Sequence, residues 1–266
     1  MRIVGICRFS LVGRGDWKPW RMVPPGDEER VQEEQAAVLF SPDRLAARFA
    51  LFQHVTLPSI AGQTDPDFNF LVLASELMPA AFRDRLQALC DTVPQVVLRF
   101  FPATTVGEAQ ARVFAEMGFR HGETVQFRLD DDDALFAGYV ARLRSSAALL
   151  MAGPDPFAIS FPDVMFAHVP DRTAYLRSQP FLGAGLALRH PKASIFRFGH
   201  FAIGRRFPAL TLPSGLSLVT RHGLNDSLFD RHARALKPLT PDETQHHVAR
   251  FFPFLAPEGL RVAGLG

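Results

Sequence analysis

The stretch Val125–Leu135 constrains this chain more than any other, because a short apolar segment there ends abruptly in four consecutive carboxylates. Val125 to Leu129 has the β-branched and aromatic character of a buried strand. Asp130, Asp131, Asp132 and Asp133 follow it and repel one another, so a folded protein would hardly place them together without a cation. Clustered oxygen ligands suit hard ions such as Mg²⁺ or Mn²⁺, which share their coordination shell with water and substrate phosphates. Acids at the carboxyl end of a strand also lie where open α/β sheets bind ligands. The plainer alternative is a solvated turn capping the next helix, but one Asp fills that role and four exceed it.

The 266 residues suffice for a sizeable core, as one domain of α/β size or two small ones. With 47% hydrophobic and 21% charged residues the composition is that of a globular protein. A net charge of +2 names no partner and gives no sign of nucleic-acid binding. The distribution is more informative. No Asp or Glu occurs between Asp171 and Asp226, whereas Arg172, Arg177, Arg189 and Lys192 fall there, followed by Arg197, Arg205, Arg206 and Arg221. A basic half facing an acidic site suits a phosphorylated or otherwise anionic substrate; a surface patch paired to acids elsewhere is the alternative. Two cysteines, Cys7 and Cys90, form neither a disulfide scaffold nor a zinc site, as expected of a reducing compartment. Without a signal-type segment or a transmembrane-length run, the expectation is a cytoplasmic protein that can still rest on the inner face of a membrane.

Taken in order, Ile3–Cys7 reads as a first strand, and Leu11 to about Glu34 as a long loop containing Trp17 and Trp20. Ser41-Pro42-Asp43 starts a helix with Leu45, Phe49 and Phe52 on its inner face. Phe70–Ala74 is a second strand, a helix starts near Pro79, and Val96–Phe100 is a third strand. Thr105 and Glu108 have capping-box spacing. The acidic run then leads into a helix expected over Ala134–Met151. This βαβαβαβ alternation predicts a largely parallel sheet with right-handed crossovers. Past Gly153-Pro154, short strands at Phe157–Phe161, Val164–His168, Ala174–Arg177 and Gly185–Arg189 predict a loop-rich second half on the same sheet. The expected division is a nucleotide-sugar half, 1–151, and an acceptor half, 152–266, within one domain.

Several stretches carry a family likeness. Leu57–Thr64 followed by Asp67–Leu73 is similar to the first crossover of family-two nucleotide-sugar glycosyltransferases. Gly107–Arg112 is similar to the helix ahead of their metal motif, and Phe127–Leu135 resembles the Asp-x-Asp motif itself. With Arg44–Phe52 and His222–Ser227, the chain most resembles a bacterial rhamnosyltransferase family of the glycosyltransferase-A fold, an α/β architecture with a Rossmann-like, mostly parallel sheet flanked by helices. One departure is that the second strand ends in Ala74-Ser75, where family-two enzymes carry an acid; Glu76 stands just beyond.

The resemblance implies metal-dependent transfer of a sugar, rhamnose among the expected ones, from a nucleotide-diphosphate donor to a glycan or glycolipid acceptor in surface polysaccharide synthesis. It implies Mn²⁺ or Mg²⁺ held by Asp132 and supported by Asp133, with His222 as a late metal ligand; a structural histidine is the other reading. Donor contacts are expected from Arg8, Ser10, Gln63 and Arg112, then Arg128, Asp130 and Asp131, with Arg128 equally readable as a structural ion pair. For the base that accepts the acceptor's proton, Asp163, Asp171 and Asp226 are the carboxylate candidates and His200 the other option. Asp226 is favoured for its place in the cluster His222–Asp226, with Asp163 second. Two competing readings are a nucleotidyltransferase, for which Arg8–Gly13 is a poor phosphate loop, and an inactive cation- or glycan-binding module.

Overall fold

The computed structural model describes residues 1–13, 26–213, 215–225 and 235–266. Strand β1 (Arg2–Phe9) is followed by helices α1 (Glu28–Leu39), α2 (Pro42–Leu51) and α3 (Leu57–Ala61). Strand β2 (Asn69–Ser75), helix α4 (Ala80–Cys90), strand β3 (Val96–Phe101) and helix α5 (Val106–Glu116) complete the first crossovers. Then come β4 (Thr124–Arg128), the two-residue β5 (Asp133–Ala134) and α6 (Tyr139–Leu150). The later elements are β6 (Phe157–Ser160), β7 (Asp163–His168), β8 (Thr173–Ser178), β9 (Ala187–Arg189) and α7 (His200–Arg206). Last are β10 (Ala209–Thr211), β11 (Ser217–Arg221), β12 (Lys237–Pro238), α8 (Pro241–Phe251) and α9 (Pro257–Val262).

The larger sheet has the order β10-β6-β9-β4-β1-β2-β3. Strand β1 pairs in parallel with β2 and with β4, and β2 with β3. Strand β9 runs antiparallel to β4 and β6. The expected fold class, α/β with a mostly parallel sheet flanked by helices, is the one observed. Because helices cover both faces, β1 is apolar on both, and Ile3, Val4, Ile6 and Cys7 are all fully buried. The face under α2, α3, α4 and α6 packs Phe49, Phe52, Leu86 and Leu143; the opposite face packs Val113, Phe114, Ile195 and Ile203. A second sheet, β12-β8-β7-β11-β5, stands beside the first, so strands from both sides of residue 151 enter both sheets.

Strand order reverses between β1 and β4, and the acidic run begins two residues past the end of β4. The carboxylates thus lie at the topological switch point, where chain ends diverge and leave a crevice.

Three expectations are corrected. The Leu11–Glu34 loop is shorter than expected, because α1 already begins at Glu28; Trp17 and Trp20 lie outside the described residues. The Ser41 hydroxyl does not cap α2 but donates to the Val38 carbonyl at 3.2 Å, within the turn from α1. The helix expected over Ala134–Met151 starts only at Tyr139, behind Gly138, because Asp133 and Ala134 pair with β11 instead. Elsewhere local chemistry rules: Thr105 and Glu108 form the reciprocal cap of α5 as the spacing predicts.

Gly5 on β1 lies against Phe127 and Phe70, whose rings would meet an added Cβ at 2.3 and 2.5 Å. Gly5→Ala should therefore cost about 1–3 kcal/mol through overpacking. It should appear as a lower urea midpoint with an unchanged slope; an unchanged midpoint would mean that the rings repack freely.

Candidate active site

The acidic turn is gripped from two sides. Helix α2 continues through a π-helical turn, Phe52–Thr56, into α3, forming one rod over 42–61. From this rod Arg48 places one guanidinium nitrogen on Asp131 Oδ1 and 3.1 Å from Asp132 Oδ2. Further along, the Thr56 hydroxyl donates to the Asp133 carbonyl at 2.9 Å. Just past the rod, the Gln63 carboxamide donates to the Phe136 carbonyl at 3.1 Å and accepts from the Val140 N–H at 3.0 Å. The opposite grip comes from β11 and the residues after it. The Thr220 N–H donates to Asp133 Oδ1 at 3.2 Å, and its hydroxyl to the Asp132 carbonyl at 2.8 Å. His222 Nε2 lies 2.9 Å from Asp132 Oδ2, and Asn225 Nδ2 donates to that oxygen at 3.1 Å.

Burial sets the electrostatics of this turn. Asp131 and Asp132 are 3% and 4% exposed, and Arg48 is 8% exposed. Burial pushes the Asp131 carboxyl up to about 6 against the pull of Arg48. For Asp132 burial acts in the same sense, but Arg48 and His222 outweigh it and hold the carboxyl below its ordinary range. Burial, reinforced by Asp132 and Asp130, lifts Asp133 well above the usual carboxylate range. The sequence argument required a cation among these acids, and the fold supplies one from its own chain.

The turn lines a cleft of about 1420 Å³. Arg8, Arg44, Arg48 and Arg128 line it from the first half of the chain, and Lys192, Arg197, Arg205 and Arg221 from the acid-free stretch. Against these eight cations, the described lining residues include five acids, Glu108 and Asp130–Asp133. The basic half does face the acids. Ser10, at the end of β1, has a positive φ of 47° and receives a long hydrogen bond of 3.4 Å from Arg44. Arg128 lies over the Phe196 ring at 4.4 Å. Phe201 is 47% exposed although it lines the cleft, with His200 against its edge.

The structure thus brings together Arg8, Ser10, Arg128, Asp130, Asp131, Asp132 and Asp133, with His222 bonded to Asp132. Two expected donor contacts fall elsewhere. Gln63 is buried in the fold, where its carboxamide joins α3 to α6, and Arg112 is exposed on α5 outside the cleft lining. Among the base candidates, Asp163 lies on β7 and Asp171 pairs with His168 at 3.2 Å; neither lines the cleft, whereas His200 does. Asp226 lies outside the described residues. Glu76 is exposed beyond β2 and does not line the cleft either. Sequence reasoning missed Arg48 and Asn225 as partners of the acids, although both lie in the stretches that carry the family likeness.

Among the described residues no three His, Cys, Asp or Glu groups converge as a metal site. Asp132 and His222 do present two donor atoms 2.9 Å apart. Neighbouring ligands each about 2.1 Å from one octahedral ion would be roughly 3 Å apart, and such an ion takes its remaining ligands from water and substrate phosphate. The spacing of this pair is that of two adjacent ligands on one such ion.

A family model described as "Putative rhamnosyl transferase" matches residues 2–234, and the chain belongs to that family. No curated protein matches it. Among solved structures it is similar to S. aureus TarS in complex with UDP-GlcNAc, with 11% identity and a TM-score of 0.40, covering 92% of this chain and 64% of that one. A longer S. aureus TarS structure matches at 10% identity and a TM-score of 0.31, over 64% of this chain and 21% of that one. A 4-diphosphocytidyl-2C-methyl-D-erythritol synthase matches at 12% identity and a TM-score of 0.38, over 88% and 95% of the respective chains. The chain thus spans less than two thirds of the length of the TarS structures. Among the described residues no helix is long and apolar enough to cross a membrane.

The raised Asp133 carboxyl gives a pH prediction. Its folded-state pKa lies above the unfolded value of about 3.9, so its contribution to stability is lost as pH rises from that value upward. Asn keeps the acceptor for Thr220 and does not titrate. The melting temperature of Asp133→Asn relative to the unchanged protein should therefore climb from about pH 4 toward neutrality. The same difference at both ends would contradict a protonated Asp133.

Proposed function

We propose that the cleft transfers a sugar, rhamnose among the candidates, from a nucleotide-diphosphate donor to a hydroxyl of a glycan or glycolipid acceptor in surface polysaccharide synthesis. The observation that carries this reading is the acidic turn at the β1–β4 switch point, faced by cations from both halves of the chain. During transfer the bond from the anomeric carbon to the diphosphate oxygen breaks, and its electron pair leaves with that oxygen. The acceptor oxygen bonds to the anomeric carbon and gives up its proton.

Arg8, Arg128 and the cations of 192–221 offset the diphosphate charge as it grows. Asp130, at the mouth of the turn, and Asp131 face the ribose or the donor sugar. Asp132 and His222 would hold Mn²⁺ or Mg²⁺, which supplies Lewis-acid stabilisation of the leaving diphosphate. Asp133 supports Asp132 through the backbone it pins to β11. The exposed ring of Phe201 offers an apolar face for an acceptor sugar, and His200 beside it takes the acceptor proton. In this reading the reaction runs on the cytoplasmic side, with peripheral contact to a membrane where the acceptor is a glycolipid.

A thermal-shift panel of UDP-, dTDP- and GDP-sugars with and without Mn²⁺ tests the donor. A ligand at about 100 times its Kd stabilises the native state by about 2.7 kcal/mol. One nucleotide class should stabilise the protein only with metal, and the effect should vanish in Asp132→Asn. Stabilisation without metal that persists in that variant would refute the assignment. For the base, His200→Gln should lower kcat by about 10²–10⁴-fold while the donor-induced thermal shift stays in place. An unchanged kcat would remove His200 from that role.

A further inference from the structure

Arg48 shares its charge between two buried carboxylates of the acidic turn. One of its terminal nitrogens, Nη1, bonds Asp131 and stands 3.1 Å from the same Asp132 oxygen that meets His222 at 2.9 Å. That oxygen also accepts from Asn225 at 3.1 Å, so three donors crowd one atom. A divalent ion on Asp132 and His222 would have to share or take this oxygen. Like charges close together in a buried site repel strongly, so a guanidinium and a metal ion on one carboxylate oxygen disfavour each other.

We propose that Arg48 is a built-in counter-cation that keeps the acidic turn formed without metal and competes with the divalent ion for Asp132. The proposal rests on the reading of Asp132 and His222 as the metal pair. Arg48 is then a positioning residue, acting on the reaction through the carboxylates it holds. Several features of the fold suit such a role. The side chain rises from α2, one turn before the π-helical segment, and is buried rather than waving from a loop. Two acids against one guanidinium leave net negative charge, so the turn is held together yet still attracts a cation arriving with its diphosphate. Competition of this kind sets a weak affinity for free metal and couples tight metal binding to the donor, whose phosphates bring further ligands.

The test is direct Mn²⁺ binding to the full chain, read from the electron-paramagnetic-resonance signal of free Mn²⁺, in the unchanged protein, Arg48→Met and Arg48→Lys. With its competitor gone, Arg48→Met should bind Mn²⁺ about tenfold more tightly or better. Arg48→Lys, which keeps one charge but loses the planar fork, should fall between. Mn²⁺ should also raise the melting temperature of Arg48→Met more than that of the unchanged protein, because metal is then the main neutraliser of Asp131 and Asp132. If Arg48→Met unfolds in chelator, recovery of its near-ultraviolet circular dichroism on adding Mn²⁺ supports the proposal. Equal or weaker Mn²⁺ binding in both variants would overturn it while leaving the metal pair in place. Binding to Arg48→Met but not to the unchanged protein would support the counter-cation and remove the metal from the native reaction. Binding to none of the three would overturn both.

Discussion

Charge crowding at the end of β4 is the constraint around which the rest of this structure is arranged. Two carboxylates that are almost wholly out of water, Asp131 and Asp132, need positive partners within a few ångströms. A bare buried charge is far too costly to keep. The chain answers with one guanidinium from α2 and with the His222–Asn225 pair after β11. Asp133 is treated differently, its carboxyl pushed well above the usual carboxylate range by burial and its backbone sewn into β11. Three neighbouring residues of one type thus have different electrostatic fates because each faces a different wall.

The rod over 42–61 is shaped for that task. Pro58 cannot donate a backbone hydrogen bond, and a helix usually kinks at such a residue. Here the π-helical turn just ahead of it absorbs the defect and keeps Arg48, Thr56 and Gln63 aimed at successive parts of the acidic turn and of α6. Wide turns of this sort are often found at functional sites. Helix α9 comes so near that a Cβ on Gly259 would sit 2.4 Å from the His54 carbonyl, which helps to fix the rod's position from behind.

Much of this was legible in the sequence wherever the signal was local. The buried strands, the Thr105–Glu108 cap and the crossover order follow from periodicity and capping chemistry, and the acidic run announced the cleft. Arg48 was not legible as its partner because the contact joins residues 83 positions apart, and an arginine on a helix reads as solvent-facing until the sheet is assembled. Gln63 erred in the opposite direction: a polar residue in a turn serves a ligand or a backbone equally well, and here the backbone claims it. The start of α6 was misjudged because the pairing of Asp133 and Ala134 depends on β11, a strand far downstream. Local propensity carries no trace of such a partner.

The two grips on the acidic turn have a consequence for how the enzyme is made. One is encoded before β2, and the other by residues past 216, late in synthesis. A nascent chain that has emerged only through α6 has the carboxylates and their arginine but no Thr220, His222 or Asn225 to set Asp132. Contacts of such long sequence separation form late and carry a large loop-closure cost. The acidic turn is therefore among the last parts of the molecule to be finished, and a fully bonded turn certifies that the segments on either side of it have found each other.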